Sequence, residues 1–108
     1  PMANSQAKLV VRTAVPADAR QIAALSVKIY GKREAYSLAQ IRGLINNFPE
    51  GQFVAEYEGA IVGHCATLVV TSRRALGPHT WAEITGGGFG RPPSDKSDML
   101  YGMEVSVD

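Results

Sequence analysis

The stretch of this sequence whose residue types and spacing best suit chemistry is Leu100-Tyr101-Gly102-Met103-Glu104-Val105-Ser106-Val107-Asp108. Read as a strand, its alternate residues face opposite ways. Tyr101, Met103, Val105 and Val107 then share an apolar face, while Gly102, Glu104, Ser106 and Asp108 share a polar one. Glu104 is the acidic residue of the polar face that lies away from the strand's end, with little bulk beside it. A carboxylate placed this way can take up a proton, directly or through a water. The plainer alternative is a surface or salt-bridged glutamate.

The other reactive side chains form no pair. His64 and Cys65 are adjacent in a strand-like run, so they point to opposite faces and do not make a nucleophile and base by local geometry. His64 reads as a core histidine with its nitrogens satisfied, and His79 stands alone in a loop. Two separated histidines and one cysteine do not make a metal site. A single cysteine also leaves no internal disulfide, which fits a reducing compartment.

The elements that must position these groups follow from periodicity. Leu9-Val10-Val11 is a continuous apolar run of the kind found in buried strands. Pro16 at a first turn and Asp18 behind it open a helix over 17–30, with Ile22, Leu25 and Ile29 on one face and Gly31 as its stop. Lys32-Arg33-Glu34 reads as a polar link. Ser37 is the N-cap of a second helix carrying Leu38, Ile41, Leu44, Ile45 and Phe48, closed by Pro49 and Gly51. Tyr30 and Tyr36 fall between the two helices.

Two strands, 52–57 and 60–71, flank Glu58-Gly59, a tight-hairpin signal. The second has apolar residues on both faces, Ile61, Cys65 and Val69 on one and Val62, Ala66, Leu68 and Val70 on the other. It therefore reads as a central, bent strand with helices above and below. From 72 to 97 the pattern dissolves into a loop around Gly86-Gly87-Gly88-Phe89-Gly90 and Pro92-Pro93, with one helical turn over 80–85. Trp81 lies there, either as an anchor for the loop or as a cover over a substrate.

Composition bounds the function classes. At 108 residues the chain is sized for one folding unit or part of one, and 45% hydrophobic with 19% charged content is that of a globular protein. Eleven basic against ten acidic residues, with only Arg73-Arg74 and Lys32-Arg33 as pairs, argue against a nucleic-acid-binding stripe. No apolar run approaches the roughly 20 residues that span a bilayer, and no signal-peptide core opens the chain, so the expected location is cytoplasmic. Pro1 before Met2 reads as a tag remnant.

The order strand, helix, helix, strand, strand, loop, strand resembles the N-terminal half of the GNAT superfamily of N-acetyltransferases. Three stretches carry the likeness: Leu9-Val10-Val11-Arg12-Thr13-Ala14 running into Pro16-Ala17-Asp18, the hairpin from Gln52-Phe53-Val54-Ala55 through Glu58-Gly59 to Ile61-Val62-Gly63, and the closing Glu104-Val105-Ser106-Val107-Asp108. Phe48-Pro49-Glu50-Gly51-Gln52 and Tyr101-Gly102-Met103-Glu104 make it most similar to the acetyltransferase-like domain that some bacterial proteins place ahead of a carbon-nitrogen hydrolase domain. The fold class implied is α/β: a mixed, mostly antiparallel GNAT-like sheet with helices on both faces, incomplete at its C-terminal end. Residues 1–108 would be the N-terminal portion of one such domain.

The resemblance implies transfer of an acetyl group from acetyl-CoA to a primary amine, on a small molecule or a protein. Glu104 would be the base. Backbone groups of Val105, Ser106 and Val107 would pair with the amide-bearing arm of acetyl-CoA as though it were another strand. Tyr30 and Tyr36 would shape the acceptor site, and Trp81 would close over it. The family's Gly-rich turn, of the form Arg/Gln-x-x-Gly-x-Gly/Ala, holds the coenzyme A pyrophosphate at a helix N-terminus. These 108 residues do not contain it. The isolated chain is accordingly expected to be inactive alone and prone to associate through its last strand. The alternative reading is a non-catalytic GNAT-like module that senses a ligand or regulates an attached enzyme domain.

Overall fold

The computed structural model describes residues 8–108, which places the reading of Pro1 and Met2 outside the described residues. Four strands, β1 (Leu9–Thr13), β2 (Gln52–Tyr57), β3 (Ala60–Val70) and β4 (Met99–Val107), form one sheet in the order β1-β2-β3-β4. Every neighbouring pair is antiparallel. The β2–β3 turn is the tight hairpin expected from Glu58-Gly59: both residues have positive φ, 51° and 82°, which matches the right-handed twist of the flanking strands.

Helix α1 (Ala19–Glu34) follows a single 3-10 turn at Pro16–Asp18. The Asp18 carboxylate accepts from the Val15 backbone N–H at 2.8 Å and from both terminal nitrogens of Arg12 at 2.8 and 2.9 Å, and Arg12 Nε also reaches Glu56 at 3.1 Å. The turn into the helix is thus tied to β1 and β2. Gly31 does break the helix, at φ 81°, yet one further turn forms beyond it, closed by the Ala35 N–H on the Gly31 carbonyl. The polar link expected at Lys32-Arg33-Glu34 is therefore helical.

Helix α2 (Leu38–Asn47) begins at Ser37 as expected, in a reciprocal capping box with Gln40. Ile22 and Leu25 of α1 and Ile41 and Ile45 of α2 pack on Val54 and Ile61 of the sheet. Ile22 and Ile41 are almost fully buried, each a contribution of roughly 2 kcal/mol from apolar burial. Two short helices, α3 (Ser72–Leu76) and α4 (Trp81–Thr85), precede β4. The helical turn at 80–85 was legible; α3, capped by the Thr71 side chain on the Arg74 N–H, was not.

Two register shifts correct the strict alternation read from the sequence. Val62 has no partner where Ala55 pairs with Gly63 and Glu56 with Ile61. Met103 has none where Ala66 pairs with Glu104 and Thr67 with Gly102. Each extra residue reverses the sequence of faces. Ile61 consequently joins His64, Ala66, Leu68 and Val70 on the buried face. Tyr101 and Met103, expected to share an outward apolar face with Val105 and Val107, pack instead around Leu68, Val70 and Ile84, on the face that also buries Glu104 and Ser106.

Helices α1, α2 and α4 lie over this one face. On the other, Val11, Val105 and Val107 are each about 70% exposed, with Phe53 between them. The second helical layer inferred from apolar residues on both faces of β3 is not formed by the described residues; Cys65 and Val69 there are only half-buried.

Candidate functional site

Glu104 sits on β4 beside the residue that the register skips, and its pairing with Ala66, in step with Ser106 on His64, turns its carboxylate inward under α1. Tyr30, in the last full turn of α1 before Gly31, donates from Oη to Glu104 Oε1 at 2.8 Å. Ser106, two residues on and on the same face, donates to Oε2 at 2.5 Å, and its Oγ lies 3.3 Å from Tyr30 Oη. His64 Nδ1 on the neighbouring strand is 3.7 Å from the same Oε2, beyond a hydrogen bond and within ion-pair reach. Glu104 is therefore neither a surface glutamate nor an isolated one.

Opposing influences act on this carboxyl. Burial pushes its pKa up, while His64, the Ser106 hydroxyl and the Tyr30 hydroxyl pull it down, and the balance lies below the usual carboxylate value. Tyr36 moves the other way, up to about 12, through burial and then the nearby charge of Glu104 and of Tyr30. The Cys65 thiol is also raised, by burial and the Glu104 charge. It lies on the opposite face of β3 from His64, as alternation requires, pairing with Val105 where His64 pairs with Ser106.

Tyr30, Tyr36, Gln40, Trp81, Met103 and Glu104 line a cavity of about 620 Å³. Of the side chains singled out in the sequence, the structure thus brings four together: Glu104, Tyr30, Tyr36 and Trp81. The Tyr36 and Trp81 rings meet at a centroid distance of 6.0 Å and an angle of 50°. Trp81 is 43% exposed, a wall of this cavity rather than a buried anchor. Arg33 and Glu34, on the helical turn after Gly31, add one charge of each sign to the rim.

The glycine run of the long loop is held against α2. Gln40 Nε2 donates to the Gly87 carbonyl at 2.8 Å, and Asn47 Nδ2 to the carbonyls of Phe89 and Gly90 at 3.2 Å. Gly86, Gly87, Gly88 and Gly90 all have positive φ. The run is a tight path packed on α2, and at Gly88, where a Cβ would lie 2.9 Å from the Trp81 ring, only glycine leaves room for that ring.

Val105, Ser106 and Val107 lie on β4, the last strand in the sheet order, and do not line the cavity. The Val105 and Val107 side chains face away from it, on the uncovered side of the sheet, whereas the Ser106 side chain belongs to the Glu104 cluster. The role of Ser106 as a side-chain donor was missed, although its two-residue spacing from Glu104 was a signal for it. His64 was read as a satisfied core histidine. It is buried as expected, but Nε2 has no partner and Nδ1 faces Glu104.

A larger cavity, about 900 Å³, lies between the Thr13–Pro16 turn and the end of α2, lined in part by Arg42, Ile45 and Glu50. It holds none of the candidate site residues Glu104, Tyr30, Tyr36, Trp81 or Val105–Val107. Among the described residues no group of three or more potential metal ligands occurs, and no helix is long and apolar enough to cross a membrane.

Against known proteins, no family model matches the chain. It is 32% identical over 100 residues to the probable hydrolase YhcX of Bacillus subtilis (strain 168), covering 93% of this chain and 20% of that protein. It is 32% identical over 72 residues to the uncharacterized N-acetyltransferase YkwB of the same organism, covering 67% of this chain and 32% of that one. Among solved structures it superposes on the GphF GNAT-like decarboxylase in complex with isobutyryl-CoA, with a TM-score of 0.77 and 26% identity over 92% of this chain. It also superposes on the loading GNATL domain of CurA from Lyngbya majuscula, with a TM-score of 0.75 and 19% identity over 93% of this chain. The chain spans 48% of each of those solved chains and a third or less of the curated relatives. The match to one fifth of a probable hydrolase fits a GNAT domain joined to a hydrolase. Four antiparallel strands, the helices over them and these superpositions together show that the chain has the GNAT-like fold.

Proposed function

We propose that this domain takes part in transfer of an acetyl group from acetyl-CoA to a primary amine, with Glu104 as the group that receives the amine's proton. The observation that carries this reading is an inward carboxylate, held by Tyr30 and Ser106, at the wall of an aromatic cavity. A carboxylate held below its usual range stays ionised at neutral pH. It attracts an ammonium ion, and it relays the released proton to water more readily than it retains it. Tyr36 and Trp81 give the amine's carbon stem an apolar wall and, as π-faces, favour a cation.

Acetyl-CoA supplies the acyl group as a thioester. Its amide-bearing arm needs backbone partners, and β4, at the end of the sheet order, offers Val105, Ser106 and Val107 along an edge with no further strand among the described residues. The bound isobutyryl-CoA of the GphF structure supports an acyl-CoA donor in general. The likeness to YkwB supports an amine acceptor.

The test is thioester cleavage and amide formation by the full-length protein, with acetyl-CoA and a panel of primary amines. Glu104→Gln is expected to lower kcat by about 100-fold, in the range of a lost proton acceptor. Kinetics unchanged by that substitution would remove Glu104 from the mechanism. The match to a fifth of YhcX favours a second reading, a ligand-sensing module attached to another enzyme domain. That reading expects binding of acyl-CoA or amine with no amide product.

A further inference from the structure

The two oxygens of Glu104 are treated differently. Oε1 takes the hydrogen bond from Tyr30, which lines the cavity with it. Oε2 takes the Ser106 hydroxyl and faces His64 Nδ1 at 3.7 Å. His64 does not line the cavity; its side chain is 2% exposed, behind the carboxylate. The β3–β4 register fixes this arrangement, since His64 pairs directly with Ser106 and Ala66 with Glu104, which makes His64 and Glu104 diagonal neighbours on one face.

His64 Nε2 is buried with no partner. Of the two neutral tautomers, the one protonated at Nε2 would orphan a buried N–H and aim the Nδ1 lone pair at a negative oxygen. The one protonated at Nδ1 places a donor against Glu104 and leaves only a lone pair unpaired. The rest of the carboxylate's surroundings are Tyr30 and Tyr36 from α1 and the turn after it, Cys65 on the far face of β3, and Arg33 and Glu34 at the cavity rim.

The geometry points to His64 as a positioning residue: its Nδ1–H, acting with Ser106 on Oε2, keeps Glu104 ionised and leaves Oε1 as the oxygen presented with Tyr30 to the cavity. This rests on the reading of Glu104 as the proton-receiving group. It extends that reading to a residue that touches no substrate. The same support serves a carboxylate that binds a cation without turnover, so the assignment is open to measurement apart from activity.

The experiment compares the full-length wild type with His64→Leu and His64→Asn, whose side-chain amide donates from nearly the Nδ1 position. Carbon-13 titration of the Glu104 carboxyl is read alongside the pH profile of kcat/KM. His64→Leu is expected to move the Glu104 titration, and the acid limb of kcat/KM with it, upward by about one pH unit. His64→Asn is expected to recover most of that shift. A Glu104 titration unmoved by His64→Leu, or His64→Asn as displaced as His64→Leu, overturns the assignment. Nitrogen-15 shifts of wild-type His64 give an independent check should a variant not fold: a proton on Nδ1 supports the assignment, and the Nε2–H tautomer overturns it. If Glu104→Gln leaves turnover intact while His64→Leu still moves the Glu104 titration, the reading of Glu104 as the proton-receiving group falls and the role of His64 in holding its carboxylate stands.

Discussion

Tyr30, at the end of the first helix, donates a 2.8 Å hydrogen bond to Glu104, 74 residues further along the chain on the last strand. That single contact ties the helical layer to the polar face of the edge strand. It also closes one side of the cavity that Tyr36 and Trp81 wall on the other.

Removing the Tyr30 hydroxyl should therefore act on both stability and chemistry. Tyr30→Phe keeps the ring and deletes one donor to a charged acceptor, a loss of about 2 kcal/mol. Urea unfolding should show that decrease. In the full-length protein, kcat should fall about tenfold with the acid limb of its pH profile moved upward. An unchanged pH profile would mean that Tyr30 does no more than pack.

The displaced carboxyls set the acid stability. Glu104 and Asp18 both have folded-state pKa values below their unfolded ones, Asp18 chiefly through the Arg12 hydrogen bonds. Their contributions are complete above the ordinary carboxylate range and disappear as pH falls through the lowered folded values. Stability measured by urea unfolding should thus be flat near neutrality and decline with acid below about pH 4 to 5. Asp18→Asn should shallow that decline, and a slope identical to wild type would contradict the Arg12–Asp18 pairing.

At the alkaline end the sign reverses. Tyr36 is raised to about 12, so its neutral form is favoured by folding, and stability is lost as pH rises from the ordinary tyrosine value through that figure. Ultraviolet titration should show one tyrosinate appearing only near pH 12 and together with unfolding. Four tyrosines titrating as one ordinary group would contradict its burial beside Glu104.

How much of this was legible in the sequence differs from element to element. The capping box at Ser37, the stop at Gly31 and the Glu58-Gly59 hairpin rest on contacts within a few residues, where local spacing decides the geometry. Glu104, Tyr30, Tyr36 and Trp81 were named one by one from the strand pattern and the family resemblance. That they line one cavity is a property of the fold.

The chain's own order of residues determined the four strands, the two longer helices and the hairpin turn, because side-chain periods, caps and turn residues act over short separations. Tertiary structure decided the rest. Met103 is skipped in the β3–β4 register only because β3 is there to pair with, and that shift carries Tyr101 and Met103 to the buried side with Glu104 and Ser106. His64 reaches Glu104 through the same register, and the sheet's far face, with Val11, Val105 and Val107 exposed, is left uncovered by these helices. A two-residue period counts residues along one strand. It cannot register an extra residue whose effect exists only against a neighbour.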